Sequence, residues 1–406
     1  MLRTLVLLMA LCSISFMAFN TTIAPIGRLI GMADWQVGAT MSVSGLSWML
    51  AARPWGRLAD AAGRIAVMRR GLFGMSIAFF LIALIAAAGI AGLLSAGAAF
   101  FGLVVARGVL GGSYAAMPVS SQAMVADELP PEQRTAGMAS LGASTAIGMI
   151  FGPALGALLG RYDLMWPLWL AVVLSLFAFF KAIKAVGLPS RAGTGQAQGN
   201  QVSAPLSIRD TRTRWPIGVA FATMFMVMSL QVITAFFIID RHAYQPGPAV
   251  SATGALLVAI GLGTVAAQMI VRRIDARSGF WTPMRLIAWG ASCSAIACVA
   301  ASLSPSVLWM AVAYLVAGVG SGLLFPSFAA LTSLAVGPHE QGAAAGSMAA
   351  AQAAGMVLGP AAATGLYHIA PEVPYWFAAA LMLLLSLLAF GTLTRVPAVT
   401  LDINKP

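Results

Sequence analysis

Apolar stretches of about twenty residues alternate with short polar segments along almost the whole chain. A helix needs about 20 predominantly apolar residues to cross a bilayer core. Twelve such spans are predicted, at about 4–24, 36–55, 72–92, 95–121, 136–160, 165–186, 215–239, 250–271, 284–303, 306–330, 342–366 and 374–394. One polar break, GRLADAAGRIAVMRRG over 56–71, is expected to be the loop between helices 2 and 3. Another, residues 187–214, is rich in Gly, Ser and Gln and reads as a flexible linker. The predicted fold class is an all-α polytopic membrane protein. Residues 1–186 form one six-helix bundle, 187–214 the linker, and 215–406 a second bundle. The N-terminal run MLRTLVLLMALCSISFMAF is followed by no small-x-small cleavage site, and Leu11 precedes Cys12. It is therefore expected to stay in place as the first span.

A spacing inside helix 5 divides the chain further. Ser144, Gly148, Gly152, Gly156 and Gly160 fall four residues apart. Each step turns a helix by about 400°, so the five drift slowly around one face. A face without side chains admits a second helix to backbone contact. Pro153 removes one backbone bond in the middle and is expected to bend the helix. The sequence GMIFGPA, Gly148–Ala154, returns as GMVLGPA, Gly355–Ala361, on a second small-residue face of Ser347, Ala351, Gly355, Gly359 and Ala363. Around helix 4, GGSYAAMPV aligns with VGSGLLFPS, which pairs Gly112 with Gly320, Ser113 with Ser321 and Pro118 with Pro326. The loop around Asp60 and Gly63 has a looser counterpart at Asp275 and Gly279. Two halves repeated in the same membrane orientation imply an axis along the membrane normal, with a substrate site between them near the midplane.

Composition agrees with the spans: 60% hydrophobic, 9% charged, mean hydropathy +0.90. Soluble domains carry about a quarter charged residues. The net charge of +11 would suit nucleic acid or an anionic surface if it were clustered. With the N-terminus inside, Arg28, Arg161 and Arg241 are the only outer cations and Arg107 lies within the membrane. The remaining Lys and Arg fall on the cytoplasmic side, so the charge is topology and nucleic acid is excluded. Both termini are expected in the cytoplasm, and the expected location is a bacterial inner membrane. Cys12, Cys293 and Cys298 sit in apolar segments without metal-site spacing, and no ligand role falls to His242, His339 or His368. No catalytic triad, phosphate loop or nucleotide motif appears, so no cofactor or metal is expected and enzyme chemistry has no carrier.

Three motifs carry the candidate chemistry. In Gly56-Arg57-Leu58-Ala59-Asp60-Ala61-Ala62-Gly63-Arg64 a tight turn needs glycine, and Asp60 can pair with an Arg or a helix N-terminus. A plain charged loop would also satisfy this pattern. Helix 5 holds Gly148, Gly152, Pro153 and Gly156, for which close packing is a sufficient account. Arg107 lies about twelve residues into helix 4, roughly 18 Å of rise, near mid-bilayer. A charge there costs a few kcal/mol by insertion scales, so it should face the interior or a cavity. There it can serve function or merely bind helix-end carbonyls.

These residues together resemble the major facilitator superfamily over essentially the whole chain. The 56–64 segment is similar to the family's G-x-L-A-D-x-x-G-R signature, with Ala61 and Ile65 where basic residues are usual. The resemblance implies that Gly56, Asp60, Gly63 and Arg64 form a cytoplasmic latch between the bundles in the outward-open state. Helix 5 resembles the antiporter signature G-x-x-x-G-P-x-x-G, which implies a 12-helix drug–proton antiporter. Arg107, Gly108, Gly111 and Gly112 resemble the family's R-G-x-x-G-G pattern. A monomer coupled to protons is the implied default.

None of the 12 acids sits inside a predicted span, whereas many relatives that expel cations carry a carboxylate in helix 1 or 4. Here helix 1 offers Asn20, Thr21 and Thr22. A cavity with Arg107 and no acid suits an anionic, zwitterionic or neutral amphiphile. Further candidate cavity residues are Ser113, Tyr114, Gln231, Thr234, Phe237, Tyr314 and Gln352, with apolar lining from Met224, Met228, Phe236 and Phe325. The leading expectation is an exporter of a small organic molecule. An importer or symporter of the same fold is the first alternative, and a membrane-embedded enzyme or lipid-handling protein the second.

Overall fold

A computed structural model describes residues 1–184, 210–273, 281–337 and 340–393. The predicted linker over 187–209, Asp275 and Gly279, Arg277, His339 and everything beyond 393 lie outside the described residues. Among the described residues the chain is helical throughout, with no strand. The helices are α1 (Leu2–Asn20), α2 (Ile23–Leu29), α3 (Asp34–Ala62), α4 (Arg64–Ile90), α5 (Ala96–Tyr114), α6 (Ala116–Glu128) and α7 (Pro131–Gly160). They continue with α8 (Trp166–Lys184), α9 (Arg214–His242), α10 (Pro246–Arg273), α11 (Pro283–Ser302), α12 (Val307–Leu334), α13 (Gln341–Tyr367) and α14 (Val373–Leu393). Among the described residues ten segments are long and apolar enough to cross a membrane, counting α1 with α2 and α5 with α6 as single spans. Helices α3 and α13, 29 and 27 residues long, fall outside that set. The chain is a multi-pass membrane protein.

Two predicted spans are interrupted, and proline accounts for both. Pro25 has no N–H to offer the Thr21 carbonyl four residues back and crowds it, and the first span breaks at Thr21–Thr22. The two threonine hydroxyls bond back to Ala18 O (2.7 Å) and Phe19 O (3.0 Å), satisfying carbonyls at the break. Pro118 stands in the same relation to Tyr114, where α5 ends before Ala115. Its repeat partner Pro326 sits inside an unbroken α12. The expected loop over 56–71 is corrected. Both sides of it are helical, because the apolar pattern continues through Trp55, Leu58, Ile65 and Val67, and only Gly63 turns the chain. Gly63 has φ +90°, a region open to glycine at little cost, whereas Gly56 lies within α3.

The small-residue face of α7 packs on α1. A Cβ on Gly148 or Gly152 would overlap the side chains of Ser13 and Met17, and one on Gly156 would lie 2.8 Å from Ala18 O. Gly160 has drifted to a different neighbour, Val250 of α10. The repeat does the same on α9. A Cβ on Gly355 would lie 2.6 Å from Phe221 O, and one on Gly359 2.8 Å from Phe225 O.

The helices before residue 185 meet those after 210 mainly along two seams, α3 with α13 and α7 with α10, with α2 adding contacts to α9 and α10. The seams share one device. Pro153 and Pro360 leave Met149 O and Met356 O without their in-helix donors. Across the seams lie Gly261, whose Cβ would stand 3.2 Å from Met149 O, and Gly45, whose Cβ would stand 3.4 Å from Met356 O. Seven residues away along each glycine helix, Gly254 and Gly38 would clash with Pro153 O (2.6 Å) and Pro360 O (2.8 Å). Ser251 Oγ donates to Ala157 O (3.0 Å) and Ser42 Oγ to Val357 O (2.6 Å). Both seams occupy the end of the helices near Asp34, away from Asp60.

Near Asp60 the described ion pairs stay within one set of helices. Arg64 pairs with Asp60 and, at 3.2 Å, with Asp127. Arg69 donates to Ala182 O (3.0 Å) and Ile183 O (3.2 Å), covering carbonyls at the end of α8. Arg212 holds Asp210 (2.9 Å) and Glu340 (3.0 Å), and its hydrogen bonds keep both carboxyls below their ordinary range.

Candidate cavity between the two halves

A cavity of about 310 Å³ opens where α1, α3, α5, α7, α9, α12 and α13 converge. Of the residues singled out from sequence, Arg107, Asn20, Tyr114, Gln231 and Gln352 line it, as do Met224, Met228 and Phe325. The α1 break places Asn20 at the helix terminus, with its Oδ1 3.4 Å from Arg107 Nη1. Arg107 Nε faces Thr40 O at 3.4 Å. The guanidinium carbon stands 4.8 Å from the Phe19 ring centroid and 6.0 Å from that of Phe16. Arg107 is only 1% exposed, yet it has five N–H donors, and these two contacts are long. Among the described residues it is the only charged one in the cavity wall. In a low-dielectric wall its field is scarcely screened, so the cavity is electropositive.

Five sequence candidates are placed elsewhere. Ser113 packs against α4 at Gly74. Thr234 Oγ1 and Tyr314 OH are 2.6 Å apart, and Tyr314 OH lies 3.0 Å from Tyr375 OH, so these hydroxyls satisfy one another between α9, α12 and α14. The Phe237 ring stacks edge-on against Tyr375 at 4.9 Å. Phe236 lies under Arg28, 4.6 Å from its guanidinium carbon. Helices α9 and α12 bury more than one face, so polarity alone could not separate cavity-facing positions from interhelical ones.

The structure also adds residues. Five further methionines, Met9, Met17, Met41, Met149 and Met356, join Met224 and Met228 in the cavity wall. Ser44 and Trp48 lie beside Met41 and Gly45 on one face of α3, a spacing of three and four that could have marked them. A second cluster had no signal in the sequence. Arg28 donates to both oxygens of Asp34 (3.0 and 3.0 Å) and of Asp240 (2.5 and 2.7 Å), and Tyr367 OH donates to Asp240 (2.8 Å). It joins α2 to α9 and α13 on the Asp34 side of the cavity. Glu372 and Arg241 approach within 3.9 Å at the same end. Among the described residues no group of His, Cys, Asp and Glu could hold a metal ion.

Comparison with known proteins places this architecture. The chain is 22% identical over 356 residues to the quinolone resistance protein NorA of Staphylococcus aureus, covering 86% of this chain and 85% of that one. It is 27% identical over 341 residues to the class C tetracycline resistance protein of Escherichia coli, covering 81% and 79%. Among solved structures it superposes on a bacterial homologue of the human lysosomal transporter Spinster, in an inward-facing and occupied conformation. There the TM-score is 0.75, with 14% identity over 97% of this chain and 96% of that one. It also superposes on the human organic anion transporter MFSD10, with a TM-score of 0.66 and 19% identity, covering 96% and 98%. The family model of the Major Facilitator Superfamily matches residues 5–360 and 284–405. With helices, cavity and family model in agreement, the chain belongs to the major facilitator superfamily and is a transport protein, not an enzyme.

Proposed function

We propose that this protein is a proton-coupled exporter of a small organic amphiphile, anionic, zwitterionic or neutral, in a bacterial plasma membrane. The observation that carries the reading is the cavity itself. One buried guanidinium, unopposed by any carboxylate in the wall, is set among methionines and aromatic rings. Arg107 supplies the attraction for an anionic group, and the methionine surface adapts to varied apolar bodies. Similarity to a quinolone resistance protein and a tetracycline resistance protein favours export, and the resemblance of the Gly148-Gly152-Pro153-Gly156 helix to the antiporter signature supplies the proton coupling. The reading takes α1–α8 and α9–α14 as two bundles of six spans, with both termini in the cytoplasm and the protein a monomer.

On that orientation the Asp34 end faces outward. The seams and the Arg28 cluster then close the outer side, the conformation is inward-facing, and alternating access rocks the bundles about the cavity. Asp60 and Arg64 engage the second bundle when the cytoplasmic side closes.

Everted and right-side-out vesicles containing the purified protein, tested with a quinolone and a tetracycline, check direction and coupling together. Accumulation in everted vesicles that are acidic inside, abolished by a protonophore, is the expected result. Accumulation only in right-side-out vesicles would make the protein an importer, the reading of the same fold that the cavity alone fits equally well.

A further inference from the structure

The cavity wall carries polar groups that the protein itself leaves without partners. Ser44 is 3% exposed, lines the cavity, and its Oγ has no hydrogen-bond partner among the described residues. Buried helical serines and threonines elsewhere in the chain bond back to a carbonyl three or four residues earlier, as Ser76 does to Leu72 O at 2.9 Å. The matching acceptor for Ser44 is Thr40 O, and that carbonyl faces Arg107 Nε instead. One turn along α3, Trp48 Nε1 is likewise buried and unpartnered at the cavity. By contrast Trp55, two turns further, donates to Gly112 O at 2.7 Å. Helix α5 lies directly against this strip, because a Cβ on Gly111 would overlap the Ser44 carbonyl. Arg107, one turn before Gly111, completes a strip of N–H and O–H donors. From α9 the same cavity is lined by Gln231, whose Oε1 is buried without a partner among the described residues.

Unpaired buried polar atoms cost free energy unless something satisfies them. We propose that Ser44, Trp48 and Gln231 determine specificity, selecting an amphiphile with an anionic acceptor group at one end and a hydrogen-bond donor at the other. The donor strip of α3 and α5 holds the anion, and Gln231 Oε1 accepts from the donor across the cavity. This rests on the substrate-binding reading of the cavity and narrows it to bifunctional, zwitterion-like molecules. A volume near the lower end of the drug-sized range, about 300–1,000 Å³, suits a two-ring body.

The test measures affinity in nanodiscs for 4′-(aminomethyl)biphenyl-4-carboxylic acid, its analogue lacking the amine and its analogue lacking the carboxylate. The wild-type protein should bind the bifunctional compound at least about tenfold more tightly than either analogue. Ser44→Ala and Trp48→Phe should each weaken both carboxylate-bearing probes about tenfold and leave the carboxylate-free probe unchanged, which also checks that the variants fold. Gln231→Met should weaken only the amine-bearing probes. If Arg107→Ala loses the carboxylate probes while these three variants change nothing, the specificity proposal falls and the cavity reading stands. If Arg107→Ala changes nothing either, or wild type binds none of the probes, both fall. Equal loss of all three probes in both α3 variants would also overturn the proposal, since that is a general defect of the cavity and not a lost contact.

Discussion

At the scale of single residues, burial decides what Arg107 can be. A guanidinium keeps its proton at accessible pH, so Arg107 is not the proton carrier. Its N–H groups exceed the two long contacts the protein gives it. Hydrogen bonds to charged groups contribute about 1.5–3 kcal/mol, which converts to roughly ten- to hundredfold in affinity. Arg107→Ala should lose that much for a carboxylate-bearing probe, and Arg107→Lys should keep part of it without the bidentate geometry. Arg107 also stacks over the Phe19 ring. Arg107→Ala should lower the melting temperature slightly as well as the affinity, both measured in the same detergent. Unchanged affinity in a folded Arg107→Ala protein would make the residue structural. How much of the site was legible tracks side-chain reach. Charge and position within the fourth span marked Arg107, and the polar run Asn20-Thr21-Thr22 in the first span marked Asn20. Ser113, Thr234 and Tyr314 were equally polar in sequence, but the hydroxyls of Thr234 and Tyr314 bond each other between helices and Ser113 packs against α4.

At the scale of elements, the spacing of glycine predicts which substitutions are tolerated. Gly152 lies against Met17 and the Ile14 carbonyl, while Gly142, earlier on the same helix, has nothing within 4 Å. Gly152→Leu should insert normally yet abolish transport, because α7 can no longer approach α1. Gly142→Ala should be neutral or stabilising by about 0.5–1 kcal/mol, since alanine is the better helix former. A transport assay beside a thermal melt separates the two, and normal transport by Gly152→Leu would remove the packing argument. The helix itself, its glycine register and its repeat at α13 were legible because they depend on local periodicity alone. The breaks at Thr21–Thr22 and Ala115 were legible in principle from Pro25 and Pro118. Yet Pro153, Pro326 and Pro360 break nothing, and neighbouring helices decide between those outcomes.

For the whole molecule, the state of the transporter turns on which end is tied. Arg28 and Asp240 bridge the two halves near Asp34, and no signal in the sequence pairs residues 212 positions apart. Arg28→Gln or Asp240→Asn should lengthen the distance between spin labels placed on the Asp34 side of α2 and α9, as the pair that holds that side shut is lost. An unchanged distance distribution would leave the cluster as local packing. Asp60→Asn acts at the other end. In this conformation Asp60 and Asp127 both engage Arg64 within the first half, so its removal should spare this state and depopulate the one closed on the Asp60 side. Labels across the Asp60 ends of α3 and α12 would read that shift, and no shift would reduce Asp60 to a local charge near the end of α3.

The sequence by itself determined the all-helical fold and the small-residue repeat that recurs between α7 and α13. Each of these follows from hydropathy and from periodicities that a helix imposes locally, whatever its neighbours. Tertiary structure alone decided which polar side chains face the cavity, which carbonyls meet Gly38, Gly45, Gly254 and Gly261, and that Arg28 finds Asp240. In a membrane helix that is apolar on most sides, lipid and protein neighbours demand the same side chains. The direction in which each face points is therefore written in the packing of one helix against another and not in the hydropathy of either.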